Sequence, residues 1–520
     1  MRSLLAISIL SFAGLVLPAC AQNQARPELV KTAQGEVRGT VEDDAKVYRG
    51  IPFAAAPVAS LRWKPPQPAA PWRGVRQVAE FGPSCPQGRI PASGGREANA
   101  IRGASSEDCL TLNIWAPVRS NKPLPVMVWI HGGAHRVGSG SAPFYDGSAF
   151  ARDGVILVTF NYRLGLLGYF AHPALTAEAA ANAPLANYGT MDQLAALRWV
   201  QANIAAFGGD PKNVTVFGES AGGVATLSLL TLPEAKGLFQ KAIVESGDGW
   251  NMTPSLAEAE RTGVAALAAA GVKPGATVEE LRALPPETFA SFKSGVGFGP
   301  IVDGRFLRQS TAQAFEAGNV IDVSLIIGFN SDEGSLMESF QMGSSAMLSS
   351  VPGAGLAALR AAYGERAPTD EALARRLFAD GAFSAPARWI AGKSAGGAPS
   401  WLYRFDYVAE RMRAQRSGAR HGGEIPFVFD SWSAIPAIAQ ALTPEDKKMV
   451  STIHGCWVSF AKTGTPVCPG APAWPAYAPA AGTLLDFAAT TTPRTGFDKP
   501  IYDVLERALL PRALGAAPRR

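Results

Sequence analysis

Histidine and cysteine are scarce in this chain, each occurring only five times in 520 residues. So few histidines confine acid–base or metal chemistry to a very short list of positions. An odd cysteine count leaves at least one sulfur outside any intrachain disulfide framework. Charge is sparse too, at 18% of residues, and the net charge of +5 is scattered. The one basic concentration runs from Arg404 to Arg420 with Arg411, Arg413 and Arg416 between them. A nucleic-acid surface needs a sustained basic face, so this segment reads as a solvated loop and no nucleic-acid partner is expected. No internal repeat is visible, which argues against a solenoid or propeller. No stretch is repetitive enough to read as disordered.

Long apolar runs are missing as well. The run from Leu4 to Leu17 is too short to span a bilayer comfortably. It follows Arg2 and precedes Pro18-Ala19-Cys20-Ala21, the pattern of a secretory signal peptide. Cleavage after Ala21 predicts a signal at 1–21, a single domain over 22–520, and a secreted or periplasmic protein with no integral span. Leu17-Pro18-Ala19-Cys20 also has the look of a lipobox that would anchor the chain through Cys20, although Pro18 fits that motif poorly. Export permits disulfides. With Cys20 set aside, Cys85 with Cys109 and Cys456 with Cys468 can pair locally, but sequence does not fix connectivity.

What the chain has in quantity is apolar residues, 47%, together with 54 glycines and 40 prolines, enough for a large core and many ordered turns. Residues 125–130, 155–160, 214–217, 241–245 and 323–329 read as strands. The first two are continuous apolar runs, as strands buried on both faces of a parallel sheet are. Leu194, Leu197, Val200, Ile204 and Phe207 recur at helical spacing, and a helix is read from Ala221 onward. Ala-rich helical text fills 250–300 and 345–400. Strands separated by helices predict an α/β fold with a large, mostly parallel sheet and helical cap segments.

Gly218-Glu219-Ser220-Ala221-Gly222 matches G-x-S-x-G, in which a serine on a sharp turn needs small neighbours. Alone the string is weak, but it directly follows a strand and precedes a helix. His131-Gly132-Gly133-Ala134 follows another strand, where glycines let backbone N–H groups approach a substrate carbonyl. In an α/β-hydrolase the order is Ser, acid, His. That order removes His131, His135 and His172, leaving His421 and His454. His454 sits among Val450, Ile453, Trp457 and Phe460 at helical spacing and reads as a packed or helix-surface residue. His421 lies in a Gly-flanked loop and reads as the base. For the acid, Asp332 and Glu333 follow a strand equally well, and Asp303 is a third candidate that otherwise reads as a turn residue.

With these residues in place, the chain resembles the type-B carboxylesterases, the family of cholinesterases, para-nitrobenzyl esterases and fungal lipases, with the α/β-hydrolase fold. The likeness runs through most of the mature chain. It rests on Tyr48-Arg49-Gly50-Ile51-Pro52-Phe53-Ala54, Ser106-Glu107-Asp108-Cys109-Leu110, Asn161-Tyr162-Arg163, Phe207-Gly208-Gly209-Asp210-Pro211, His421-Gly422-Gly423-Glu424-Ile425-Pro426 and Trp457-Val458-Ser459-Phe460-Ala461.

The resemblance implies a Ser220–Glu333–His421 triad. It also implies an oxyanion hole from Gly132, Gly133 and Ala221, a supporting Ser246, and a Cys85–Cys109 disulfide. It further implies hydrolysis of a small carboxylic ester through an acyl-enzyme, with no metal or organic cofactor. The same triad can serve an amidase or acyltransferase, and relatives that have lost it are binding modules; here all three members are present. One departure concerns the substrate gorge: where the family usually has an aromatic after His-Gly-Gly-Ala, this chain has His135-Arg136. A His131–His135 metal pair is not expected, because the His-Gly-Gly motif already accounts for His131.

Overall fold

The computed structural model describes residues 29–515, apart from 43, 89–103, 291–297, 352 and 435. The expected signal peptide, with Cys20, and most of the loop between Cys85 and Ser106 lie outside the described residues. Eleven strands form the main sheet. They are β1 (Thr40–Glu42), β2 (Ala45–Pro52), β3 (Thr111–Pro117), β4 (Leu124–Ile130), β5 (Ile156–Phe160) and β6 (Gly209–Glu219), then β7 (Lys241–Glu245), β8 (Ser324–Asn330), β9 (Ser400–Phe405), β10 (Leu484–Phe487) and β11 (Thr492–Arg494). Their spatial order is β11-β10-β9-β8-β7-β6-β4-β5-β3-β2-β1. From β5 across to β10 every neighbouring pair is parallel. The flanking pairs are antiparallel.

The apolar runs are buried on both faces, which explains why they do not alternate with polar residues. Val126, Val128, Ile130, Val214, Val216 and Val244 join one hydrophobic cluster. Met127, Trp129, Phe217 and Ile243 point into the other. Helices α1 (Tyr188–Asn203) and α2 (Ala221–Leu230) cover the first face, and α3 (Pro444–Thr463) covers the second. Helix α3 starts on a Thr443–Asp446 capping box with Pro444 in its first turn and stops at Gly464 in the left-handed region.

Three strands differ from the sequence reading. β6 begins five residues before Val214, because Gly209 pairs with Leu124 ahead of a register shift that carries Asp210-Pro211-Lys212. Proline cannot donate to a ladder, so that tripeptide reads as a turn. β9 begins where the Ala-rich helical text ends, at Ser400, and β3 lies outside the runs singled out from sequence. The Ala-rich segments do contain helices, at Leu256–Ala269, Val278–Ala283, Gly353–Tyr363, Asp370–Ala379 and Ala385–Ser394.

Cys85 is bonded to Cys109 and Cys456 to Cys468. Among the described residues, no helix is long and apolar enough to cross a membrane. The two disulfides are compatible with an extracellular protein.

Candidate active site

The sheet's carboxyl ends gather the residues of interest: Ser220 follows β6, Glu333 follows β8, His421 lies beyond β9, and the His131–Ala134 loop follows β4. Ligands in open α/β sheets bind at this end of the strands. Ser220 has φ 57° and ψ −122°, a strained turn between strand and helix. Its N–H donates to Glu245 O at 2.8 Å. A Cβ on Gly222 would stand 1.9 Å from Ile130 O, and one on Gly218 would stand 2.6 Å from the Gly222 carbonyl carbon. Only glycine fits at positions 218 and 222, two residues before and after this serine.

The loop after β4 closes against the turn. A Cβ on Gly132 would meet Glu219 Oε2 at 2.7 Å and Ser220 Cβ at 3.1 Å. Among the described residues, the N–H groups of Gly132, Gly133, Ala134 and Ala221 donate to no protein acceptor. Ala134 holds φ 54°. The family resemblance implies the other three, and Ala134 joins them because its N–H is equally free.

Glu333 is fully buried and saturated with donors. Oε1 accepts from Ser246 Oγ at 2.6 Å and from the Asn330 N–H at 2.7 Å, while Oε2 lies 2.5 Å from His421 Nδ1. An ionised carboxylate can only accept, so Nδ1 carries a proton. The His421 N–H donates to Ser335 Oγ at 3.1 Å, and its ring packs against Phe383 with centroids 5.2 Å apart. Nε2 faces Glu219 Oε1 at 3.1 Å. Ser220 Oγ forms no hydrogen bond with another described residue.

The other candidates from sequence are engaged elsewhere. Asp332 binds Arg375 at 2.7 and 2.9 Å. Asp303 accepts from the N–H groups of Leu185, Phe306 and Leu307, as a turn carboxylate does. His454 contacts Val428 O at 2.7 Å and Asp153 at 3.0 Å. His131 stacks on Tyr162, and burial pushes its pKa down to about 4; burial lowers His135 to about 3. No group of three or more metal-ligating side chains occurs among the described residues.

A model of the carboxylesterase family matches residues 26–503. The chain belongs to the carboxylesterase family. It is 39% identical over 467 residues to the fumonisin B1 esterase of Sphingopyxis macrogoltabida, covering 86% of this chain and 84% of that one. It is 39% identical over 468 residues to the para-nitrobenzyl esterase of Bacillus subtilis, covering 86% and 92%. Its fold superposes on the carboxylesterase Est55 of Geobacillus stearothermophilus with a TM-score of 0.80 at 36% identity, covering 91% and 99%. The protein is a carboxylic ester hydrolase with the α/β-hydrolase fold.

This carboxylesterase surrounds His421 with carboxyl groups that sequence reading passed over. Glu219, Glu245 and Glu424 are buried with Glu333 beneath the turn. Glu424 is bonded to Asn330, and Glu245 accepts from Trp457 Nε1 at 2.7 Å. Burial pushes Glu219 up to about 7 and Glu245 up to about 8, and drives Glu424 well above the usual carboxylate range. Burial disfavours the His421 imidazolium, but the Glu219 and Glu333 carboxylates outweigh it and push its pKa up to about 9. In the sequence Glu424 lies in the family stretch His421–Pro426 and Glu219 inside the G-x-S-x-G string, and nothing local marks Glu245. The departure at His135-Arg136 also has a place: His135 is buried against Tyr169, and the Arg136 guanidinium stacks over Phe298 at 5.5 Å.

Proposed function

We propose that this carboxylesterase acts through Ser220 as nucleophile, His421 as general base and Glu333 as the group that orients it, by way of an acyl-enzyme. The observation that carries the reading is the contact of Glu333 with His421 Nδ1 beside a serine held at φ 57°. Ser220 Oγ attacks the ester carbonyl. Its proton passes to His421 Nε2, and His421 returns it to the leaving alcohol. Water then repeats the sequence to release the acid. The Oγ–Nε2 contact is made on substrate binding, since catalytic hydrogen bonds often tighten only in the complex. Gly132, Gly133, Ala134 and Ala221 supply free N–H groups for the oxyanion. Ser246 holds Glu333 in place.

Matched substrates test this reading. p-Nitrophenyl butyrate should give a burst of one p-nitrophenol per chain, and its kcat/KM should exceed that of the corresponding anilide, with or without an added alcohol acceptor. Faster turnover of the anilide, or acyl transfer outrunning hydrolysis, would replace it with an amidase or acyltransferase.

The pH profile is a second test. His421 must be neutral to accept a proton, so kcat/KM rises with pH as the imidazolium deprotonates, toward pH 9. The Glu219 carboxylate stabilises that imidazolium. Glu219→Gln removes the charge, lowers the pKa of His421, and should move the ascending limb to lower pH. A limb that stays put or moves up would mean that Glu219 does not face the base in solution.

We also infer that residues from 22 onward form one exported hydrolase domain after removal of the signal. The two disulfides support export. N-terminal sequencing of the secreted protein should begin near Gln22.

A further inference from the structure

We propose that the cleft along the outer side of α3 is a second binding site, for an anionic amphiphile of the long-chain carboxylate type. The cleft holds about 720 Å³, within the range of small-molecule sites, and shares no lining residue with the candidate active site. Three features argue for it.

The first is a rigid apolar floor and wall. Val450 and Val458 line the helix side, and Leu442, Val467 and Pro469 line the rest. The 467–469 wall is fastened to α3 by the Cys456–Cys468 disulfide, by Val467 N–H to Ser459 Oγ at 2.6 Å, and by Thr452 Oγ1 to Pro469 O at 2.8 Å. Val467 nonetheless remains 67% exposed. An aliphatic side chain held in water by three fastenings is a preformed contact, and ordering it costs a ligand nothing further.

The second is charge. Lys447 and Lys462 line the cleft at the two ends of the stripe Lys447, Ser451, His454/Gly455, Val458, Lys462. They lie about 22 Å apart along the helix. Neither ammonium pairs with a carboxylate among the described residues. Arg152 bridges both acidic groups of the cleft, Asp153 at 3.4 Å and Asp430 at 2.9 Å, so three cationic side chains line it against two carboxylates. The charge left over is positive, and it flanks an apolar floor.

The third is the chemistry of the reaction itself. An ester hydrolase releases a carboxylate, so its reaction supplies the anionic end group that the cleft's lysines would take. The inference draws only on the shown ester hydrolysis, not on the assignment of Ser220.

A diazirine-bearing dodecanoate, photolysed with the full-length protein and mapped by peptide mass spectrometry, tests it. Saturable labelling is expected in peptides covering 442–469. Lys447→Ala/Lys462→Ala should weaken dodecanoate binding at least tenfold by calorimetry and abolish that labelling, while hydrolysis of p-nitrophenyl butyrate stays at the unmodified level. Val467→Glu, at an exposed position, should do the same by opposing the chain's anion. The proposal is overturned if labels fall only outside 442–469, if the double variant binds as before, or if dodecyltrimethylammonium competes as well as dodecanoate.

Discussion

Ser220→Ala is expected to lower kcat for p-nitrophenyl esters by about 10⁶-fold, the scale on which removing a serine nucleophile disables a triad. No neighbouring hydroxyl can substitute. Ser246 donates to Glu333 from beneath the site at 2.6 Å, so its Oγ is committed and fully buried. The protein should remain folded, because alanine takes the same strained turn and Gly218 and Gly222 still provide the clearance beneath it. Some acceleration over water should persist, since the free N–H groups around the turn still receive the carbonyl oxygen. Rates in the variant should therefore be read with an unchanged thermal midpoint, so that loss of chemistry is separated from loss of fold.

Glu333→Gln should cost about 10⁴-fold in kcat, the size of effect found when a triad carboxylate becomes an amide. The hydrogen bonds explain why so small a change is so damaging. Glu333 accepts from three donors: Ser246 Oγ, the Asn330 N–H and His421 Nδ1. A glutamine brings its own NH₂ into a place where every neighbour donates. If the amide nitrogen faces His421, Nδ1 must become the acceptor, and the proton moves to Nε2, where it blocks the role of base. If it faces Asn330 and Ser246 instead, a backbone N–H loses its acceptor. Either orientation also removes the negative charge that stabilises the imidazolium. The variant should lose kcat far more than KM, and an unchanged kcat would remove Glu333 from the mechanism.

Much of this site can be read in the chain because it hangs on local rules. The strand runs at 125–130 and 155–160 are apolar almost throughout, as doubly buried strands are, and they locate the turns that follow them. Chain order reduces five histidines to His421 and His454, and the helical spacing of the apolar residues around His454 separates those two; His454 faces Val428 and Asp153 from within α3.

Adjacent carboxylates are a harder case. Asp332 and Glu333 follow the same strand, and which one turns inward depends on Arg375, 43 residues away, which takes Asp332. Local pattern contains no such information, so only the family resemblance pointed to Glu333. The buried acids Glu219, Glu245 and Glu424 were illegible for a related reason. A charged residue next to a motif reads as exposed, and these are tolerated in the interior because burial raises their pKa values and His421 and Asn330 answer them. The start of β6 was hidden by Pro211, which looks like a turn and sits in a shifted register. Sequence marks Ala134 only as the end of the His-Gly-Gly-Ala string, because a free backbone N–H is a property of the fold and not of the side chain.

The most direct measurement is the site of covalent modification by a p-nitrophenyl phosphonate. The intact protein should gain one phosphonyl group per chain as activity falls to zero. Peptide mapping should place the adduct on Ser220, and Ser220→Ala should neither label nor turn over ester. An adduct on any other residue, or a Ser220→Ala variant that still labels and hydrolyses, would contradict the assignment of Ser220 as the nucleophile.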